Sequence, residues 1–184
     1  MTEPPSPLPE FPYHPDPLAT GAVVPSPDDT PCACCTRARG YVYTGPVYAA
    51  ADLTGRLCPW CIADGGAADR FDAHFTSGTA LGDDVPQEIF TAVDRRTPGF
   101  QAWQEPAWFF HCGDGAAFLG AAGAADLAPY PAALQALRRE TASWGLPPDQ
   151  AERHLAALDR DGSPTAYLFR CRVCAAYLAY SDAA

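Results

Sequence analysis

Lysine is missing from all 184 residues, and the twelve basic side chains are all arginines. A Walker phosphate loop and a pyridoxal phosphate Schiff base both need that amine, so neither chemistry can be built here. Also missing are a Gly-x-Ser-x-Gly elbow, a His-Glu-x-x-His pair and a Gly-rich dinucleotide fingerprint. Long apolar runs are lacking too. The most apolar region, Ala116 to Leu137, is broken by Asp126, Pro129 and Pro131 and falls short of the about 20 strongly apolar residues of a membrane span. No basic residue precedes Arg37, so neither a secretory n-region nor a transit peptide is expected, and the expected location is the cytoplasm.

What is present suits a packed core. Apolar residues make up 48% and charged residues 18%, with nine Phe, eight Tyr and four Trp, which excludes disorder through low hydrophobicity. Eight cysteines in a chain expected to stay reduced point to metal ligands or reactive thiols before disulfides.

Ten prolines between Pro4 and Pro31 favour extended segments over helix. Residues 1–10 are expected as a disordered tail and residues 11–184 as one domain. Within it, Phe11 to Val24 is expected as an extended strip pinned by Phe11, Tyr13, Leu18, Val23 and Val24. The run Gly40 to Tyr48 reads as strand, turn and short extended piece. Asp64-Gly65-Gly66 marks a turn into a short helix that would place Phe71 and Phe75 on one face. A second helix is expected with Asp84 as N-cap, Pro86 in its first turn, and Ile89, Phe90 and Val93 inward. Ala107 to His111 reads as a buried strand. Pro131 opens a helix with Leu134, Leu137 and Trp144 on related faces, stopped by Gly145. Another runs from Pro148 to about Asp159, with Leu155 and Leu158 inward. The C-terminal run reads as two strands around Cys171 and Cys174. The expected class is α+β: small antiparallel sheets, several short helices and zinc-knuckle or zinc-ribbon-like elements. The knuckle part spans about 28–66, the helical part about 67–160 and the C-terminal hairpin about 161–184.

Three Cys-x-x-Cys pairs carry the chemistry: Cys32 with Cys35, Cys58 with Cys61, and Cys171 with Cys174. Two intervening residues let a tight turn aim both sulfurs at one point about 2.3 Å from a Zn²⁺ ion, and two such turns complete a tetrahedron. The first two pairs are separated by twenty-two residues, close to the roughly fifteen to twenty of a four-cysteine zinc site. One Zn²⁺ is therefore expected there. Cys58-Pro59-Trp60-Cys61 could alternatively be a redox pair, but the strand and long helix that would flank it are not evident. Cys34 reads as a spare thiol. The third pair has only Cys112 left as cysteine partner, with His111 or Asp114 as a fourth ligand. A second structural Zn²⁺, a catalytic zinc with an open position and a metal-free thiol cluster are all compatible with that set.

Six segments together resemble the CbrC family of bacterial proteins: FPYHPDPLATGAVVPS from Phe11, RGYVYTGPVY from Arg39, LCPWCIADG from Leu57, RTPGFQAWQ from Arg96, HCGDGAAFLG from His111 and DGSPTAYLFRCRVC from Asp161. The similarity spans nearly the whole chain after Phe11. It implies that Cys32, Cys35, Cys58 and Cys61 match the family's first paired knuckles, and Cys112, Cys171 and Cys174 its later cysteines. Many members carry a further cysteine four positions after that matched by Cys112, where this chain has Ala116. The family is associated by name with tolerance to a colicin, and no activity comes with the resemblance.

Among other polar residues, His14 and Asp16 sit between prolines in a rigid element, either a turn that orders the strip or a docking or pocket site. His74 and His154 lack a matched nucleophile. Arginines sit near the cysteines, Arg37 and Arg39 after the first pair, Arg56 before the second, Arg170 and Arg172 around the third, and with their aromatic neighbours Tyr41, Tyr43, Trp60 and Phe169 they could stack single-stranded nucleic acid. The net charge of −10 opposes phosphate binding. The resulting expectation is a non-enzymatic, zinc-stabilised adaptor with a protein partner, ahead of a single-strand nucleic-acid binder and of a thiol or zinc enzyme.

Overall fold

Twenty prolines and fifteen glycines keep every regular element short, because proline removes a backbone donor and glycine admits tight turns. The computed structural model describes residues 7–26 and 30–184; among them five helices and eight strands make an α+β fold with small antiparallel sheets. None of these helices is long and apolar enough to cross a membrane. The fold divides into two compact units, Met1–Thr79 with Val85–Gln101, and Ala80–Asp84 with Ala102–Ala184.

In the first unit, strand β1 (Val23–Pro25) pairs antiparallel with β2 (Tyr41–Tyr43), Val23 opposite Tyr43. Short helices α1 (Pro59–Ala63) and α2 (Gly66–Phe71) follow. After an excursion of the chain through β3 (Thr79–Gly82), α3 (Gln87–Arg96) completes the unit. Its core gathers Phe11, Val23, Tyr43, Leu53, Leu57, Ile62 and Phe75 with three of the cysteines. Of the tail expected over residues 1–10, residues 1–6 lie outside the described chain, while Leu8 packs on this core. Residues 28 and 29 of the expected knuckle part also lie outside it.

Phe11 and Val23 anchor the strip as expected, but the backbone between them turns repeatedly instead of running extended. Asp16 accepts the Ala19 N–H at 3.0 Å, a side-chain-capped turn. The helix expected to unite Phe71 and Phe75 stops at Phe71, because Asp72 adopts a left-handed conformation. Phe75 then enters the core independently and meets the Tyr43 ring edge-on at 5.6 Å. At α3 the cap is Pro86, two residues later than the expected Asp84, and Val93 faces inward. Gly99 is required by a close approach: a Cβ there would lie 1.8 Å from the Phe75 carbonyl oxygen.

The second unit holds two three-stranded sheets. One orders β3, β4 (Ala107–His111) and β5 (Asp114–Gly115); the other orders β6 (Ala117–Ala122), β7 (Thr165–Arg170) and β8 (Tyr177–Asp182). Helices α4 (Pro131–Ser143) and α5 (Pro148–Ala156) begin at the prolines that mark their first turns. Strand β7 is buried on both faces. Ala166 and Leu168 join Leu127, Leu137, Leu155 and Leu158 in one core, while on the other face Phe169 meets Trp108 and Phe118 at 5.5 and 5.1 Å. Trp144, expected on a face related to those of Leu134 and Leu137, is the helix C-cap, exposed and edge-on against the His154 ring at 5.0 Å.

Candidate metal centres

Two loops fold into the same knuckle. In residues 32–37 the Cys32 N–H bonds to the Arg37 carbonyl at 3.0 Å and the Thr36 N–H to the Cys32 carbonyl at 2.8 Å. In residues 171–176 the Cys171 N–H bonds to Ala176 at 2.8 Å and the Ala175 N–H to Cys171 at 3.1 Å. Thr36 and Ala175, each just after the second cysteine, take φ of 61° and 62°. That left-handed residue turns the chain so that both thiols of a pair point to one side. A backbone N–H also reaches the first sulfur of each pair, Cys34 to Cys32 Sγ and Cys174 to Cys171 Sγ, both at 3.4 Å.

The first knuckle meets Cys58 and Cys61, which sit at the start of α1, Cys58 as its N-cap. Ala33 N–H to Arg56 carbonyl at 2.8 Å ties the two arms together. The four sulfurs lie within 4.8 Å of one another. Cys32 to Cys61 is 3.9 Å and Cys35 to Cys58 is 3.8 Å, and a tetrahedron with Zn–S of about 2.3 Å has an edge of about 3.8 Å. Cys32, Cys58 and Cys61 are buried. The Cys58 side chain and nearby backbone N–H groups, outweighing burial, hold the Cys32 thiol down at about 4. Its hydrogen bond with Cys32 and burial push Cys58 up, and burial pushes Cys61 up. The buried Cys32, Cys58 and Cys61 thiols thus oppose one another's ionisation, and a divalent cation would remove the conflict. No pair is joined as a disulfide, and Cys34 stands outside the set.

The second knuckle meets the turn between β4 and β5. His111 opposes Asp114 there, and Cys112 and Gly113 both take positive φ, as a two-residue hairpin turn requires. His111, Cys112, Cys171 and Cys174 lie within 4.8 Å of one another. His111 Nδ1 is 3.2 Å from Cys112 Sγ and 3.5 Å from Cys174 Sγ, near the about 3.6 Å expected between N and S on one zinc. Of the two fourth ligands expected from sequence, His111 is therefore in place. Asp114 is instead paired with Arg172 at 2.6 Å. Asp83 accepts the Cys112 N–H at 2.8 Å and fixes the turn, a role with no sequence signal. This centre is open: Cys112 and Cys174 are exposed and only Cys171 is buried. Burial raises the Cys171 thiol, but backbone N–H groups and His111 outweigh it and bring it down to about 6.

The remaining candidates lie elsewhere. His14 is fully buried, its ring nitrogens bonded to the Pro98 carbonyl and Thr20 hydroxyl, each at 2.7 Å. It is a core residue, where docking or a pocket was the alternative to a turn. Arg170 lies over the Tyr177 ring at 5.9 Å. Two polar clusters escaped the sequence reading: His74 with buried Asp94 and Thr76, and Glu140 with Ser181 and His154. Each joins residues far apart in sequence, so no local spacing announces them.

The model of the uncharacterised protein family UPF0167 matches residues 8–183. UPF0167 proteins of Mycobacterium bovis and Mycobacterium tuberculosis are each 51% identical over 182 residues, which cover 98% of this chain and 96% of theirs. A UPF0167 protein of Pseudomonas aeruginosa is 43% identical over 170 residues, 91% of this chain and 93% of its own. No solved structure matches.

Proposed function

The chain belongs to the uncharacterised family UPF0167, and from that premise we propose a zinc protein with two centres, one per compact unit, that serves as a non-enzymatic interaction module in the cytoplasm. The observation that carries the reading is the donor geometry: two sets of four ligands, each gathered to tetrahedral spacing on congruent knuckles. Thiolate and imidazole donors at these distances suit a d¹⁰ cation, and such an ion couples its binding free energy to folding. The resemblance to the CbrC family extends the proposal to a role in colicin tolerance or envelope stress through a protein partner. Elemental analysis of protein purified under reducing conditions tests the zinc reading. Two zinc ions per chain are expected, falling to one in Cys58→Ser; metal-free protein with intact fold overturns it.

A second reading draws on one observation. Arg39 lies over the Trp60 ring at 5.1 Å, beside the Cys58–Cys61 pair, and Arg170 over Tyr177 beside the other knuckle. Guanidinium and aromatic faces so placed could stack unpaired bases. Single-strand affinity that falls with salt and is lost in the Arg170→Ala, Arg172→Ala double variant would favour it; no binding at low salt ends it.

A further inference from the structure

We propose that the His111, Cys112, Cys171 and Cys174 centre is an exchange port for a soft divalent metal ion, held preformed by the Arg172–Asp114 ion pair, whereas the Cys32, Cys35, Cys58 and Cys61 centre keeps its ion locked. The inference rests on the zinc reading above and goes further by assigning the second centre an activity: passing its ion to, or taking it from, an external thiolate or imidazole donor.

Ligand exchange on zinc passes through an expanded coordination shell, so an incoming donor must reach the ion before an old one leaves. At the first centre Cys32, Cys58 and Cys61 are buried, and α1 packs its residues Pro59 and Ile62 into the core. Half-buried Cys35 alone leaves an incoming donor an approach, a far narrower one than at the second centre. At the second centre two of three cysteines are exposed, both arms are surface turns, and Val173 at the knuckle tip is 63% exposed. Access is built in.

An open site usually collapses when empty, but this one has fasteners that are not ligands. Arg172 lies inside the Cys171–Cys174 knuckle, and Asp114 directly follows the Cys112–Gly113 turn. Their 2.6 Å pair therefore links the two arms, with Asp114 only 17% exposed. Asp83 holds the Cys112 N–H from a third direction. The donors stay gathered while the ion comes and goes. Three thiolates and one imidazole select Zn²⁺ and similar soft or borderline ions over Mg²⁺ or Ca²⁺. No bond beyond metal–ligand coordination is made or broken, and no electron is moved.

The experiment mixes the zinc-loaded full chain, under reducing conditions, with excess of the chromophoric chelator 4-(2-pyridylazo)resorcinol and follows release in time. Two zinc equivalents should leave in two phases, the fast one about a hundredfold quicker than the slow, as open and buried sites differ in access. Cys174→Ser should abolish the fast phase alone. Arg172→Ala, which removes no ligand, should speed the fast phase about tenfold and leave the slow one unchanged, with Arg172→Lys partly restoring it. Substitution with Co²⁺ gives a second readout: an added small thiol should alter the absorption of the ion lost in Cys174→Ser and not that lost in Cys58→Ser. Two equivalents leaving together at the slow rate overturn the port while the zinc reading stands. A single equivalent that Cys58→Ser removes shows that the second centre holds no zinc, and ends the proposal at its premise.

Discussion

The two centres share a knuckle to within a few tenths of an ångström in its hydrogen bonds, yet one is mostly buried and the other faces solvent. The knuckle is a local device. Its pattern of bonds between residues i, i+4 and i+5 needs only two cysteines and a residue able to adopt positive φ. What completes the tetrahedron is not local: the start of a helix in the first unit, a hairpin turn in the second. The partner arm decides burial, and burial is what the proposed difference between a fold-holding and an exchanging site rests on.

Breaking each centre in turn should expose the largest difference. A structural zinc site contributes about 10–16 kcal/mol, as much as a whole domain's about 5–15 kcal/mol of stability. Cys61→Ser should therefore abolish the cooperative unfolding of the first unit. Cys174→Ser should cost the second unit only a few degrees, because Cys174 is exposed and the aliphatic core around Leu127, Leu137 and Leu155 does not include it. Hydrogen exchange read by mass spectrometry on peptides of each unit checks this; equal collapse of both units would erase the contrast.

A smaller effect sharpens the picture of the first unit. The buried Tyr43 hydroxyl donates to the Pro46 carbonyl at 2.8 Å and accepts the Gly99 N–H at 3.1 Å. Tyr43→Phe keeps the ring and strands both partners, so about 2–3 kcal/mol should be lost. A urea midpoint unchanged from wild type would show that water replaces the hydroxyl.

The smallest effect distinguishes the units by sign. Burial lowers His14 to about 4, against the upward pull of its Pro98 bond and of Asp16. Between its ordinary value near 6.5 and about 4, the unfolded chain binds a proton that the folded one refuses, so the first unit loses stability as pH falls, by about 2 kcal/mol on reaching about pH 5. Glu140 is the reverse. Burial, aided by Asp182, raises it to about 7 despite the Ser181 hydrogen bonds. Between about 4.5 and 7 the folded state holds the extra proton, so the second unit gains as pH falls, by about 1 kcal/mol after solvent screening. Comparing each protein with His14→Gln or Glu140→Gln across pH 7.5 to 5 cancels thiolate protonation, which is common to both. Parallel slopes in wild type and variant would remove the assignment.

Sequence spacing made the cysteine pairs, the C-terminal hairpin and the proline-started helices legible, because each is written within a few residues. It left His111 and Asp114 as equal candidates, since choosing between them needs to know that Arg172 claims the carboxylate. His14 read as part of a turn or as a docking or pocket residue, not as a core residue, because its partner, Pro98, lies 84 positions away. Phe71 and Phe75 read as one helical face because nothing local marks Asp72 as the left-handed residue that ends the helix.

The first unit is sewn from two stretches of chain, Met1–Thr79 and Val85–Gln101. The later stretch supplies Pro98 to His14, Gly99 to Tyr43 and the Asp94 carbonyl to the Phe75 N–H. An excised fragment ending at residue 79 would carry all four thiols of the first centre and still lack the acceptors and donors its interior needs. Neither during synthesis nor by genetic dissection can that half of the protein be finished before the stretch carrying α3 arrives, and the smallest piece that holds all of its interior partners extends to Gln101.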